Sequence, residues 1–72
     1  MKVRISERKV QEILLDKGWT YSYLARRIGR SPSELSRLLR RRSNTFKSIH
    51  LVATGLGVSW RDIVSVEEDK DD

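Results

Sequence analysis

The chain of 72 residues has no cysteine, a single histidine and a single proline. Without thiols, disulfides and thiolate metal sites are excluded, and a reducing compartment such as the cytoplasm is the expected setting. His50 stands alone, with no HExxH-like companion, so neither a metal site nor a histidine-based nucleophile is expected. The carboxylates Glu7, Glu12, Asp16, Glu34 and Asp62 are scattered at helix starts or polar positions, and no glycine pattern resembles a phosphate loop. No enzyme, cofactor or small-molecule ligand is therefore expected. No apolar run approaches the ~20 residues needed to cross a bilayer. The N-terminus, MKVRISERKV, lacks the apolar centre of a signal peptide, so a protein that stays where it is made is expected.

What the chain has in quantity is positive charge in one place. Residues 1–66 carry fourteen Lys/Arg against five Asp/Glu, whereas the tail EEDKDD carries five acids against one lysine. Seven arginines and one acid lie between Arg26 and Arg42. Such density gains free energy by releasing counterions from a polyanion, which is the electrostatic footprint of nucleic-acid binding. The domain division this suggests is a folded unit over residues 1–66 and an acidic, disordered tail over 67–72.

The arginines coincide with a patterned stretch, TYSYLARRIGRSPSELSRLLRRR, from Thr20 to Arg42. Tyr21, Leu24, Ala25 and Ile28 recur at the spacing of one helical face, and Leu35, Leu38 and Leu39 form a second apolar face after a break. Gly29 can take the left-handed conformation that ends the first helix. Ser31 can cap the next, with Pro32 at its first position and Glu34 completing a capping box. At about 100° per residue, Ser33, Ser36, Arg37 and Arg40 then lie opposite the leucines.

Ala25 and Gly29, four apart, with Leu35 and Leu38 at the following apolar positions, resemble the helix-turn-helix of the phage repressor and Cro-like (XRE-type) family. The downstream run TFKSIHLVATGLGVSW is similar to the family's fourth helix and the segment leading into its last, so the resemblance covers roughly residues 6 to 66. It differs in two places: Tyr21 stands where the family often has a phosphate-contacting Gln, and Pro32 where it often has a long polar side chain. The resemblance implies an all-α domain of about five short helices, similar to the lambda repressor. It also implies double-stranded DNA as partner and a homodimer joined near the last helix.

In a helix-turn-helix the N-terminal part of the second helix enters the major groove. The expected base-reading residues are Ser31, Ser33, Ser36, Arg37 and Arg40, with Arg37 able to donate two hydrogen bonds to guanine O6 and N7. The expected backbone contacts are Thr20, Tyr21, Arg26, Arg27, Arg30, Arg41, Arg42, Asn44 and Lys47, because phosphate binding needs charge and reach rather than one direction. A specific transcriptional regulator follows, repression by promoter occupancy being the simplest outcome. The alternatives are an antitoxin-like module that neutralises a partner protein, and RNA binding, for which no exposed aromatic series is evident.

The remaining segments are expected to frame the motif. Val3 and Ile5 alternate with Lys2 and Arg4 in an extended lead-in without an evident partner strand, or in a basic arm that touches DNA. Ser6 is a cap for a first helix carrying Val10, Ile13 and Leu14 inward and stopped by Gly18. Trp19 and Leu24 are placed for a hydrophobic staple. Phe46, Ile49, Ala53 and Leu56 set out the buried face of a fourth helix closed by Gly55 and Gly57, with His50 at its edge. Ser59 and Asp62 cap a short last helix whose Trp60, Ile63 and Val64 are the expected dimer contact.

Overall fold

The structure, a computed structural model, describes residues 2–67. Strand β1 (Lys2–Ile5) leads into helices α1 (Glu7–Lys17), α2 (Tyr21–Arg27), α3 (Pro32–Arg40) and α4 (Phe46–Leu56). A 3-10 turn at Trp60–Asp62 and strand β2 (Val64–Glu67) follow. No helix among the described residues is long and apolar enough to cross a membrane.

Each α-helix begins on a hydroxyl. Ser6, Thr20, Ser31 and Thr45 accept from the backbone N–H groups of Lys9, Tyr23, Glu34 and Ser48 respectively, which satisfies donors that the helix itself leaves unpaired. Gly18 and Gly57 end α1 and α4 in the left-handed conformation, and Gly29 adopts it in the turn between α2 and α3. There the Arg30 N–H reaches back to the Ala25 carbonyl at 2.9 Å and closes the turn.

The apolar faces meet in one core. Leu24 and Ala25 of α2, Ile28 at its C-cap, and Leu35 and Leu39 of α3 are buried with Ile49, Val52, Ala53 and Leu56 of α4, as helical periodicity requires. Val10 and Leu14 close the core from α1. Trp19 is half-buried against this core, and its ring also meets Tyr23 edge to face, centroids 4.8 Å apart.

Several expectations are corrected here. The N-terminal lead-in has a partner strand: β1 pairs antiparallel with β2, Val3 opposite Val66 and Ile5 opposite Val64. The expected fifth helix is only the 3-10 turn, because the alternating Val64-Ser65-Val66 enters the strand that completes this ribbon. Pairing turns Ile63 and Val64 into the core beside Ile5, so of the three expected dimer contacts only Trp60 is exposed. Phe46 is 83% exposed, since at the first position of α4 it stands beyond the edge of the core. Gly55, in turn, does not end α4 but lies buried within its last turn. Of the acidic tail expected over 67–72, Glu67 instead ends β2, and the rest lies outside the described residues.

Candidate nucleic-acid interface

Helix α3 owes its position to its start. The Ser31 Oγ accepts from the Glu34 N–H at 3.2 Å while Glu34 Oε1 accepts from the Ser31 N–H at 3.3 Å, so the capping box is closed in both directions. The backbone hydrogen bond from Ser31 holds the exposed Glu34 carboxyl below its ordinary range, helped by the Ser31 hydroxyl and by Arg30 and Arg37 nearby. The buried Leu35 and Leu39 then fix the rotation of the helix, leaving Ser33, Arg37 and Arg40 exposed and Ser36 half-buried. Ser31, expected to read a base, has its hydroxyl engaged in the cap.

A cleft of about 280 Å³ opens between α3 and α4, lined by Arg30, Glu34, Arg37, Leu38, Arg41, Ser48 and Leu51. Three guanidinium groups of the basic stretch thus border one concavity, beside the first turn of α4, where the positive end of the helix dipole favours an anion. Arg26, Arg42 and Lys47 are exposed. Like Leu51, Ser48 on α4 is a lining residue that the sequence reading missed. Only the packing of α4 against the motif brings it to this cleft.

Several residues of the expected set have other attachments. Arg27 donates from Nε to the Gly55 carbonyl at 2.8 Å, and its guanidinium lies 4.8 Å from the Trp19 ring centroid and 5.8 Å from that of Tyr23. Asn44 accepts from the Ile5 N–H at 2.8 Å through Oδ1 and donates to the Leu38 carbonyl at 2.8 Å through Nδ2. Its amide thereby joins β1 to the end of α3. The Tyr21 hydroxyl donates to Glu7 at 3.4 Å and accepts from Gln11 at 3.2 Å. Burial pushes this phenol above its ordinary pKa, the Glu7 carboxylate adding to the shift and the Gln11 hydrogen bond opposing it. Glu7 also lies 4.0 Å from Arg40 Nε, an exposed pair of small energetic weight that a phosphate can displace. Thr20, the remaining expected contact, is exposed, but its Oγ accepts from the Tyr23 N–H at 3.1 Å.

The resulting surface is the exposed side of α3, with short hydroxyls near its start and arginines along its length. It is continued by an arginine-bordered cleft at a helix N-terminus. Hydroxyls and guanidinium groups of this kind can donate hydrogen bonds to base edges and to phosphates alike. Residues 9–69 match the family model described as the Cro/C1-type HTH DNA-binding domain. No curated protein and no solved structure matches the chain.

Proposed function

Because the chain belongs to the Cro/C1-type helix-turn-helix DNA-binding family, we propose that it is a sequence-specific transcriptional regulator acting in the cytoplasm. It binds double-stranded DNA as a homodimer on a two-fold symmetric operator and represses by occupying the promoter. Two recognition helices about 34–36 Å apart would read successive major-groove faces. No catalytic step is part of this reading.

The observation that carries it is the placement of Arg37 on the exposed side of α3, bordering the cleft shared with Arg30 and Arg41. Arg37 reads a guanine edge, Ser33 and Ser36 let the helix sit close to the groove, and Arg40 reaches a base or phosphate. Arg26, Arg30, Arg41, Arg42, Lys47 and the first amides of α4 hold phosphates and fix the register. Arg27 and Asn44 act on the fold instead, through the bonds to Gly55, Ile5 and Leu38.

Selection of bound duplexes from a random library at near-physiological salt tests this reading, because salt suppresses purely electrostatic binding. Enrichment of a two-fold symmetric site is the expected result. A folded protein that enriches no sequence overturns the specific-regulator reading.

A further inference from the structure

At the seam where the starts of α1 and α2 meet the end of α3, one carboxylate oxygen faces both neighbouring helices. Glu7 Oε2 accepts from the Tyr21 hydroxyl at 3.4 Å and lies 4.0 Å from Arg40 Nε. Gln11 donates to the same hydroxyl at 3.2 Å, so Tyr21 is held from a second side. Tyr21 and Arg40 were both expected to meet DNA, yet Glu7 engages them both. We propose that Glu7 is a latch on Arg40, an affinity-setting residue that a DNA phosphate must displace before the last arginine of α3 can engage it. The proposal deepens the DNA-binding reading above and rests on it.

Glu7 is the fixed half of the pair. It stands at the first position of α1, where the positive end of the helix dipole favours an acid, and its side chain is 36% exposed. The hydrogen bond from Tyr21 limits its reach further. Arg40 is the movable half, the last residue of α3 with a side chain 73% exposed. Its guanidinium can swing toward DNA while the carboxylate stays behind.

The three groups form one electrostatic unit. Burial raises the Tyr21 phenol pKa, the Glu7 carboxylate adds to the rise, and the Arg40 charge opposes it. Other acids on these helices are used differently. Glu34, at the opposite end of α3, closes the capping box with Ser31, and Glu12 lies 3.7 Å from Arg8 on its own helix.

An exposed pair such as Glu7 and Arg40 adds little to stability, so its weight falls on binding. Sequence-independent affinity comes from cations that release counterions from the phosphates. An arginine already neighboured by a carboxylate releases fewer, and the carboxylate left behind when it departs faces the polyanion. Glu7 therefore lowers affinity for all duplexes about equally and makes binding less salt-dependent. By the same geometry the Tyr21 hydroxyl serves to hold Glu7 rather than a phosphate.

Anisotropy titrations of two labelled duplexes, the selected operator and an unrelated sequence, at about 50–200 mM salt test the latch. Glu7→Gln keeps an oxygen that accepts from Tyr21 and removes the charge facing Arg40. It is expected to tighten binding to both duplexes by roughly 1.5- to 5-fold, the span of an exposed ion pair, and to steepen the salt slope by up to ~1. Glu12→Gln, the same change of charge beside Arg8, is expected to gain less. In an Arg40→Ala background the extra gain from Glu7→Gln is expected to vanish, because the latch then has nothing to hold. Tyr21→Phe, which loosens the carboxylate without changing its charge, is expected to tighten binding too, and it serves as the test if Glu7→Gln disturbs the start of α1.

No gain from Glu7→Gln with an unchanged circular dichroism spectrum overturns the latch while wild-type binding stands. So does a gain equalled by Glu12→Gln, a gain that persists in Arg40→Ala, or weaker binding by Tyr21→Phe. A folded wild type that binds neither duplex overturns the DNA-binding reading, and the latch with it.

Discussion

The side chain of Arg27 caps α4: its Nε donates to the Gly55 carbonyl at 2.8 Å. The carbonyls of Ala53 and Thr54 are met by the N–H groups of Val58 and Gly57, and Arg27 provides for the next one along. A cation here also complements the negative end of the helix dipole. One arginine of the basic stretch is thus a structural tie between the first motif helix and the last α-helix, steadied by the Trp19 and Tyr23 rings.

Arg27→Ala is expected to lower stability by about 1–2 kcal/mol, from the lost charged hydrogen bond and ring contacts. The slope of DNA affinity against salt is expected to stay the same. Thermal melts and a salt titration separate the two effects. A slope reduced as much as in Arg41→Ala would show instead that Arg27 contacts phosphate.

Gly55 is expected to resist even alanine. A Cβ there would run into Cγ2 of Ile28 and lie 3.4 Å from Leu24 Cδ1. Cγ2 sits on a stiff β-branched side chain and cannot swing away. Overpacking of this kind costs about 1–3 kcal/mol, against a gain of ~1 kcal/mol in helix propensity. Gly55→Ala should therefore destabilise by about 1 kcal/mol in denaturant titrations, and Ile28→Leu in the same chain should recover part of the loss. A stabilised Gly55→Ala would mean that α2 and α4 can separate freely.

Asn44→Ala is expected to cost about 2–3 kcal/mol, because the Ile5 N–H and the Leu38 carbonyl both lose their partner in a part-buried site. Hydrogen exchange should quicken at Ile5 before it does in α1. Unchanged stability with weakened DNA affinity would return Asn44 to the phosphate-contacting set.

Arg37→Ala should weaken binding to the selected operator and relax preference at one base pair, by about 1–3 kcal/mol. Arg41→Ala should instead lower affinity about equally for all duplexes and reduce the salt slope by ~1. Titrations on matched and mismatched duplexes decide between these roles. Equal losses on both duplexes for Arg37→Ala would remove it from base reading.

The capping box makes the start of α3 acid-sensitive. Glu34 is held below its ordinary pKa by its hydrogen bonds to Ser31, so its contribution is full above the ordinary carboxylate range and is lost as pH falls through the lowered value. The difference in Tm between the wild type and Glu34→Gln should be largest near neutrality and shrink toward zero in acid. A difference independent of pH would show that the ionised carboxylate is not what the cap uses.

The sequence by itself determined what depends on residues a few positions apart. Ser6, Thr20 and Ser31 sit three residues before the amides they accept from, Gly18 and Gly57 end helices through their own dihedral freedom, and Leu24, Leu35 and Leu39 keep helical period. Those signals were sufficient for the helix-turn-helix and for the exposure of Arg37. The tertiary structure alone decided the rest, because it depends on partners far along the chain. Val3 finds Val66 across the whole domain, Asn44 meets Ile5 at a separation of 39 residues, and Arg27 meets Gly55 at 28. A four-residue strand has too little pattern to announce its partner, and an arginine or amide looks the same in sequence whether it faces solvent or a buried carbonyl. Closing the ribbon drew Ile63 and Val64 inward, while the end of the core left Phe46 outside, and that exchange set which apolar surface the protein presents.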